Sequence, residues 1–421
     1  MKKLNYLFFF VAAFFLNSCQ ERVEETYTYK INEPVFMSVS EFRDAVKVSR
    51  ISQPIHKQGK ICFYKDYLFV SEPEKGIHII NNANPSSPKN VGFIEILGNA
   101  DIAIMNDILY ADSYIDLVWF DISNPTLPVL KGRKESVFPE ALPPTDNIYG
   151  YDYALCSDKS KGVIVNWVLK EKTGTYYRYN SWWGGGMLED GAYTSNGEKG
   201  GANVGVTGSM ARFSVYKSYL YTVLNNYMNV FDLQQGAPKV IADSIPVGWN
   251  VETIFSYKNN MFLGTPRGML IFSVSNPEKP EYVSSLSHFY GCDPVVVEND
   301  IAYVTVRSGN NCGQNSNELI VVDVSDVKHP KQLVSYSMTN PRGLGIDNGT
   351  LFLCDDGLQV YDASNPMTMM DKKLAQYKGM NGYDVIPYDK TLMMIADDGI
   401  YQYDYTDLKN IKLLSKISIG Q

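Results

Sequence analysis

Histidine is scarce, with four in 421 residues. His56, His78, His288 and His329 fall in a connector, a strand, a loop and a turn, and none forms a motif with serine or cysteine that would make an activated nucleophile. Cys/His ligands clustered at zinc spacing are missing. So are the G-x-S-x-G elbow and the phosphate-binding glycine fingerprint, since Gly184-Gly185-Gly186 has no Lys-Ser/Thr behind it. A basic surplus is also missing: 38 Lys and Arg face 46 Asp and Glu, for a formal net charge of −8. A nucleic-acid partner is therefore not expected, because phosphate neutralisation needs excess Lys and Arg. Nothing in this inventory calls for a cofactor or a metal.

What is present begins with an address. Lys2 and Lys3 precede an apolar run over residues 7–16, a signal-peptide pattern too short to span a bilayer comfortably. The run ends in Leu16-Asn17-Ser18-Cys19, which resembles a bacterial lipobox. That resemblance implies cleavage before Cys19, lipid on Cys19 and a stable membrane anchor, since several acyl chains hold where one does not. Gln20, where an aspartate would imply the inner membrane, implies the outer one. Simple secretion is the alternative. The acidic residues 21–25 resemble the surface-export tags of some outer-membrane lipoproteins, or serve as a solvated tether. The chain thus divides into a lipoprotein signal peptide at 1–18, an acidic tether and lead-in at 19–59 with a short helix near 40–46, and a remainder at 60–421.

That remainder is repetitive. Residues 319–326 read LIVVDVSD, and the likeness returns as LVWFDISNP from Leu117, MNVFDLQQ from Met228, MLIFSVSNP from Met269, LQVYDASNP from Leu358, IYQYDYTD from Ile400 and IHIINNANP from Ile77. The aligned column reads Asn81, Asp121, Asp232, Ser273, Asp323, Asp362 and Asp404. Neighbours lie about 40 to 50 residues apart except between Asp121 and Asp232, where Val163-Ile164-Val165-Asn166 fits as a weaker copy. Each copy follows two shorter apolar runs separated by a polar turn, and a weaker strand follows it. Four short strands per unit of about 40 residues is the signature of a propeller blade. The expected fold is all-β, a propeller of about eight four-stranded blades. The second strands lie near Tyr67, Ile108, Tyr153, Tyr219, Met261, Ile301, Leu351 and Leu392. The third unit is irregular, so seven blades plus an elaboration is the alternative count.

The physical reason for the repeat is burial. A lone four-stranded sheet exposes two apolar faces, and stacking similar sheets in a ring covers both. The returning run is then the third strand of each blade. Its terminal Asp is expected to bond the backbone of the turn, while Pro125, Pro277 and Pro366 end the ladder. LIVVDVSD and LVWFDISNP closely resemble the name motif of the LVIVD-repeat family of bacterial and archaeal cell-surface proteins. The resemblance covers roughly residues 60–419. It implies a propeller and a surface location, and it carries no established activity.

Two features could bind a ligand. The first residues of the innermost strands should ring one mouth of the central channel, and they read Asp101, Glu252, Asp293 and Asp384, with Arg342 beside the matching place. Such a ring could take a cation or a polar ligand, or the carboxylates could cap backbone N–H groups of neighbouring blades. An insertion at about 176–209 is rich in glycine and carries Trp182 and Trp183, flat faces suited to sugar rings or to plugging the propeller. Of the cysteines beyond Cys19, Cys62 and Cys354 lie in strands and read as buried thiols. Cys292 and Cys312 flank connections on one face of a blade and enclose a loop of roughly 20 residues, which suits a disulfide, or they are two free thiols.

These features support a lipid-anchored, monomeric binding or scaffolding module at the outer membrane, with an envelope protein or a polysaccharide as partner. The alternative is a glycosidase-like hydrolase using mouth carboxylates, although the sialidase-type S-x-D-x-G-x-T-W box is absent.

Overall fold

The computed structural model describes residues 22–145, 148–179, 212–224, 226–248, 251–265, 267–287, 294–307 and 316–420; of 22–25 and 176–179 only the backbone is described. The chain divides into two compact units, one of residues 37–144 and 202–421 and the other of residues 1–36 and 145–201.

The larger unit answers the question posed by LIVVDVSD. Along the strand Glu318–Asp323, Leu319 and Val321 belong to one apolar cluster, shared with Leu344, Leu351 and Tyr361. Ile320 and Val322 belong to another, shared with Phe262, Met269 and Ile271. Successive side chains of a strand point to opposite faces, so a sheet with a neighbour on each side needs apolar residues at every position. Among the described residues there are seven apolar clusters, one at each junction between adjacent blades.

There are accordingly seven blades, spanning residues 61–95, 102–134, 213–246, 253–287, 295–337, 344–377 and 382–418, which we number 1 to 7. Each is an antiparallel meander of four consecutive strands, and blade 1 gains a fifth, outermost strand, Lys47–Ser49, paired with residues 93–95. The expected eighth unit is not a blade. Around Tyr153 the chain forms a short helix, Tyr153–Ser157, and Val163-Ile164-Val165-Asn166 opens a strand that runs on to Tyr179. That strand pairs with Arg22–Met37 in a two-stranded sheet within the smaller unit. The apolar run resembled a blade strand, but among the described residues it continues as one long strand paired with Arg22–Met37.

The end of each third strand is built as the sequence suggests. The side-chain oxygen of Asn81, Asp121, Asp232, Ser273, Asp323, Asp362 or Asp404 accepts the backbone N–H two residues on, at 2.8–3.3 Å. A second turn of the same kind often follows, as where Asn124 Oδ1 accepts from Thr126 N at 3.2 Å and Asn365 Oδ1 from Met367 N at 3.1 Å. These side-chain bonds substitute for ladder bonds where the strand must stop. A bulge between the third and fourth strands recurs in all seven blades, and such bulges increase local twist.

Outside the ring, Ser38 caps the helix Val39–Asp44 in a capping box with Glu41. Arg43 from this helix and Arg133 from blade 2 both bind the fully buried Asp116 carboxylate, at 3.0 and 3.1 Å. Within the smaller unit, Asn32 donates from its backbone to Gly150 O at 2.9 Å and from Nδ2 to Tyr149 O at 2.7 Å. No helix among the described residues is long and apolar enough to cross a membrane.

Candidate functional site

The innermost strands of the blades surround the central axis. The residue just before each first strand therefore stands at one mouth. Round the ring these positions hold Lys60, Asp101, Arg212 and Glu252 in blades 1 to 4, and Arg342 and Gly343 in blade 6. In blade 7 Asp384 lies inside its strand, Gly382–Tyr388, beyond a register shift between Gly382 and Asp384. The mouth thus carries cations as well as carboxylates. Lys60 and Arg212 occupy the same aligned column as Asp101 and Glu252, so an alignment of the blades read for both signs of charge would have found them. Asp293, Trp182, Trp183, Cys19, Cys292 and Cys312 lie outside the described residues.

The buried carboxylate of Asp101 is engaged with backbone. Its Oδ1 accepts from Ile102 N at 2.7 Å, and its Oδ2 accepts from Arg212 N and, at 3.2 Å, from Phe213 N. The latter two belong to blade 3, so Asp101 clamps one inner strand to the next. Burial raises its pKa, against the opposing pull of Lys60 and the amide bonds. Asp112, at the end of blade 2's second strand, joins this cluster. Its Oδ1 accepts from Ala100 N at 2.7 Å, Asp101 N at 3.0 Å and Asn99 Nδ2 at 3.0 Å. Burial pushes its carboxyl up to about 7, although those amide bonds oppose it. Asn99 in turn accepts Ser71 Oγ at 2.6 Å, which ties blade 1 to the same network.

Asp384 Oδ1 accepts from Val385 N at 2.9 Å. It also packs against Gly343, where an added Cβ would come within 2.7 Å of that oxygen. Glu252 is partly buried, and its backbone N–H donates to Gly264 O at 2.9 Å. Arg342 is held at three points. Its N–H donates to Cys354 O at 2.9 Å, its carbonyl accepts Thr305 Oγ1 at 2.7 Å, and its guanidinium lies 4.6 Å from the centre of the Tyr383 ring. Asp101 stands just before the first strand of blade 2 and Asp384 within that of blade 7, each accepting backbone bonds.

Among the described residues, no group of three or more His, Cys, Asp or Glu side chains is placed to hold a metal ion. Cys62, Cys156 and Cys354 are free thiols. Burial pushes Cys62 up to about 12 and Cys156 to about 11, and raises Cys354 as well. Such thiols pack rather than react.

The LVIVD repeat family matches twice, at residues 98–135 and 294–338, which take in blade 2 and blade 5. The chain carries LVIVD repeats and folds as a β-propeller. Among solved structures, this propeller is similar to a putative 6-phosphogluconolactonase from Bacteroides fragilis, at 9% identity over 90% of this chain and 96% of that one, with a TM-score of 0.53. It is similar also to the computationally designed Ika8 protein, at 10% identity over 89% of this chain and 90% of that one, with a TM-score of 0.50. At such identities the likeness is one of fold. No curated protein matches the sequence.

Proposed function

We propose that this LVIVD-repeat propeller is a binding or scaffolding module, anchored to the outer membrane by lipid on Cys19, whose protein or glycan partner engages the charged mouth of the ring. The anchor and location rest on the lipobox-like Leu16-Asn17-Ser18-Cys19. The observation that carries the binding reading is the use of the mouth carboxylates. Asp101 is committed to three backbone amides and Asp384 accepts one, so these groups build and space the inner strands. A rigid rim with both signs of charge suits recognition of a polar partner. The test is capture by the lipid-free chain, with envelope proteins and a glycan array as prey. Specific capture supports the reading, and glycan cleavage with no specific capture overturns it. Separately, Cys19→Ala should release the protein from membranes.

One observation favours the hydrolase alternative. Burial pushes the Asp112 carboxyl up to about 7 beside Asp101, and a carboxyl raised toward neutrality is what a general acid uses. If that reading held, Asp112→Asn would abolish turnover of a glycoside while leaving thermal stability near wild type. Loss of folding in Asp112→Asn, with no turnover by the wild type, would assign Asp112 to the backbone cluster.

A further inference from the structure

Arg342 is fixed in position, while one of its donors has no acceptor among the described residues. Its backbone is tied to Cys354 on one side and to Thr305 on the other, and the next residue, Gly343, donates its N–H to Tyr383 O at 2.8 Å. Tyr383 stands at the register shift of blade 7, and bulges of this kind re-aim a side chain. Here the tyrosine ring lies against the guanidinium. Arg342 Nη1 is buried and has no hydrogen-bond acceptor among the described residues. A buried charged donor without an acceptor is costly, and native structures rarely leave one so.

A second guanidinium stands nearby. Arg307 directly follows the strand Ile301–Val306 and lies two residues beyond Thr305, whose hydroxyl bonds to Arg342 O. Burial, and then the like charge of Arg342, hold Arg307 below the usual arginine range. A guanidinium against an aromatic ring, with a second one near enough for its charge to be felt, suits a planar or tetrahedral oxyanion.

We propose that Arg342 and Arg307 form an oxyanion site at the mouth over blades 5 and 6, which takes a carboxylate, sulfate or phosphate group of the ligand, with Tyr383 as its aromatic wall. The inference deepens the reading of the mouth as a binding surface and rests on it for location. It also reverses the charge expected of the ligand. The carboxylates brace the ring, and the arginines do the recognising.

The test titrates sodium sulfate, inorganic phosphate and D-glucuronate into the lipid-free chain at constant ionic strength, with chloride as reference. Thermal midpoint and calorimetric heat are both read. At least one oxyanion should bind saturably and raise the midpoint, and which one does so separates uronate-type from sulfate- or phosphate-bearing ligands. Arg342→Gln should abolish that binding. Arg342→Lys and Arg307→Gln should each weaken it by about tenfold, the loss expected for one charge-assisted hydrogen bond. Arg50→Gln, at an exposed site before blade 1, should leave it unchanged. If Arg342→Gln fails to fold, Arg342→Lys and Arg307→Gln still decide the question. Equal responses to all three oxyanions and to chloride would overturn the proposal, as would saturable binding that survives in those variants. Should Asp293 be the internal partner of Arg342, the wild type will show no saturable binding and Asp293→Asn will gain it, which also overturns the proposal. Specific capture of a protein or glycan that persists in Arg342→Lys would leave the binding module standing without this site.

Discussion

Gly420 donates its backbone N–H to the Ile55 carbonyl at 2.7 Å. That bond joins the tail of the last blade to the segment leading into the first. Every blade of this propeller is made of consecutive strands, so no strand is exchanged across the closing seam. Closure rests on that backbone bond and on side chains. Met393, Ile395 and Ile400 of blade 7 pack on Ile61, Leu68, Val70 and Ile80 of blade 1. Gln402 Nε2 donates to Asn82 Oδ1 at 2.8 Å, and Ser415 Oγ to Pro85 O at 2.6 Å.

Gln58 is the bond of this seam with most to lose. It is 2% exposed and donates from Nε2 to Ala396 O at 2.5 Å. Gln58→Ala removes this buried hydrogen bond, at a cost of about 0.5–1.5 kcal/mol. A urea titration should show a lower midpoint. An unchanged midpoint would mean that the apolar cluster alone closes the ring.

The same seam contains a buried histidine. His78 shares the strand face of Ile80, and its Nε2 lies 2.6 Å from Glu72 Oε2, with Asn90 Nδ2 at 3.3 Å from Nδ1 and the Phe93 ring at 4.7 Å. The charges it senses are Glu72, Lys75 and His56. Burial lowers its pKa below the ordinary 6.5, outweighing the opposing bond to Glu72. As pH falls through 6.5 the unfolded chain binds a proton that the folded chain refuses, so stability should decline. The slope from this group is at most about 1.4 kcal/mol per pH unit, and it levels off once folded His78 also titrates. Glu72 is also held low, because bonds from Lys75 and His78 outweigh its burial, and its contribution is lost only at more acid pH. Urea midpoints between pH 7 and 5 should therefore fall less steeply in His78→Gln than in the wild type. A wild type that gains stability over that range would show that the ion pair with Glu72 wins.

The recurring aspartates predict a different acid response. The hydroxyl of the following Ser or Thr, and then its backbone N–H, hold Asp121, Asp323, Asp362 and Asp404 below the usual carboxylate range. A depressed carboxyl contributes stability above its unfolded value and loses it as pH falls through the folded one. Asn81 makes the same turn in blade 1 without titrating. A variant with Asn at the four positions should match the wild type near neutrality and lose less stability between about pH 5 and 3. Identical acid titrations would mean that these turns are also formed with protonated side chains.

What was legible followed from periodicity and side-chain chemistry. LIVVDVSD announces a strand buried on both faces, and Leu319 and Ile320 do face different blades. The Asx turn could be read because one residue type in one column suffices to make it. Val163-Ile164-Val165-Asn166 misled because four residues cannot distinguish a blade strand from the start of a 17-residue ribbon. The turn chemistry was the better witness: Val168-Leu169-Lys170 stands where blades 2, 4 and 6 have Ser-Asn-Pro. At the mouth, residue type and place in the repeat left two readings of the carboxylates open, ligand binding and capping of a neighbour blade's backbone, and could not say which amides Asp101 would meet. Asp101 binds backbone amides of the next blade, and amides leave no mark in a sequence.

Gly345 should be irreplaceable for reasons of space rather than backbone angle. It lies in the first strand of blade 6, Leu344–Asp347, with no left-handed φ to exclude a larger residue. A Cβ there would sit 2.5 Å from Pro387 Cδ and 2.6 Å from Val385 O. At Gly343 it would sit 2.4 Å from Tyr383 O. The two glycines thus let the inner strands of blades 6 and 7 meet backbone to backbone, and Pro387 is tolerated opposite because an innermost strand has a free edge toward the axis. Gly345→Ala must push the strands apart or distort them, at about 1–3 kcal/mol. Pro387→Ala removes one of the two obstructing groups and leaves the Val385 carbonyl in place. The double variant Gly345→Ala, Pro387→Ala should therefore lose less than the sum of the single losses, with part of the cost remaining. Strictly additive midpoints in a double-mutant cycle would show that the two sites do not meet.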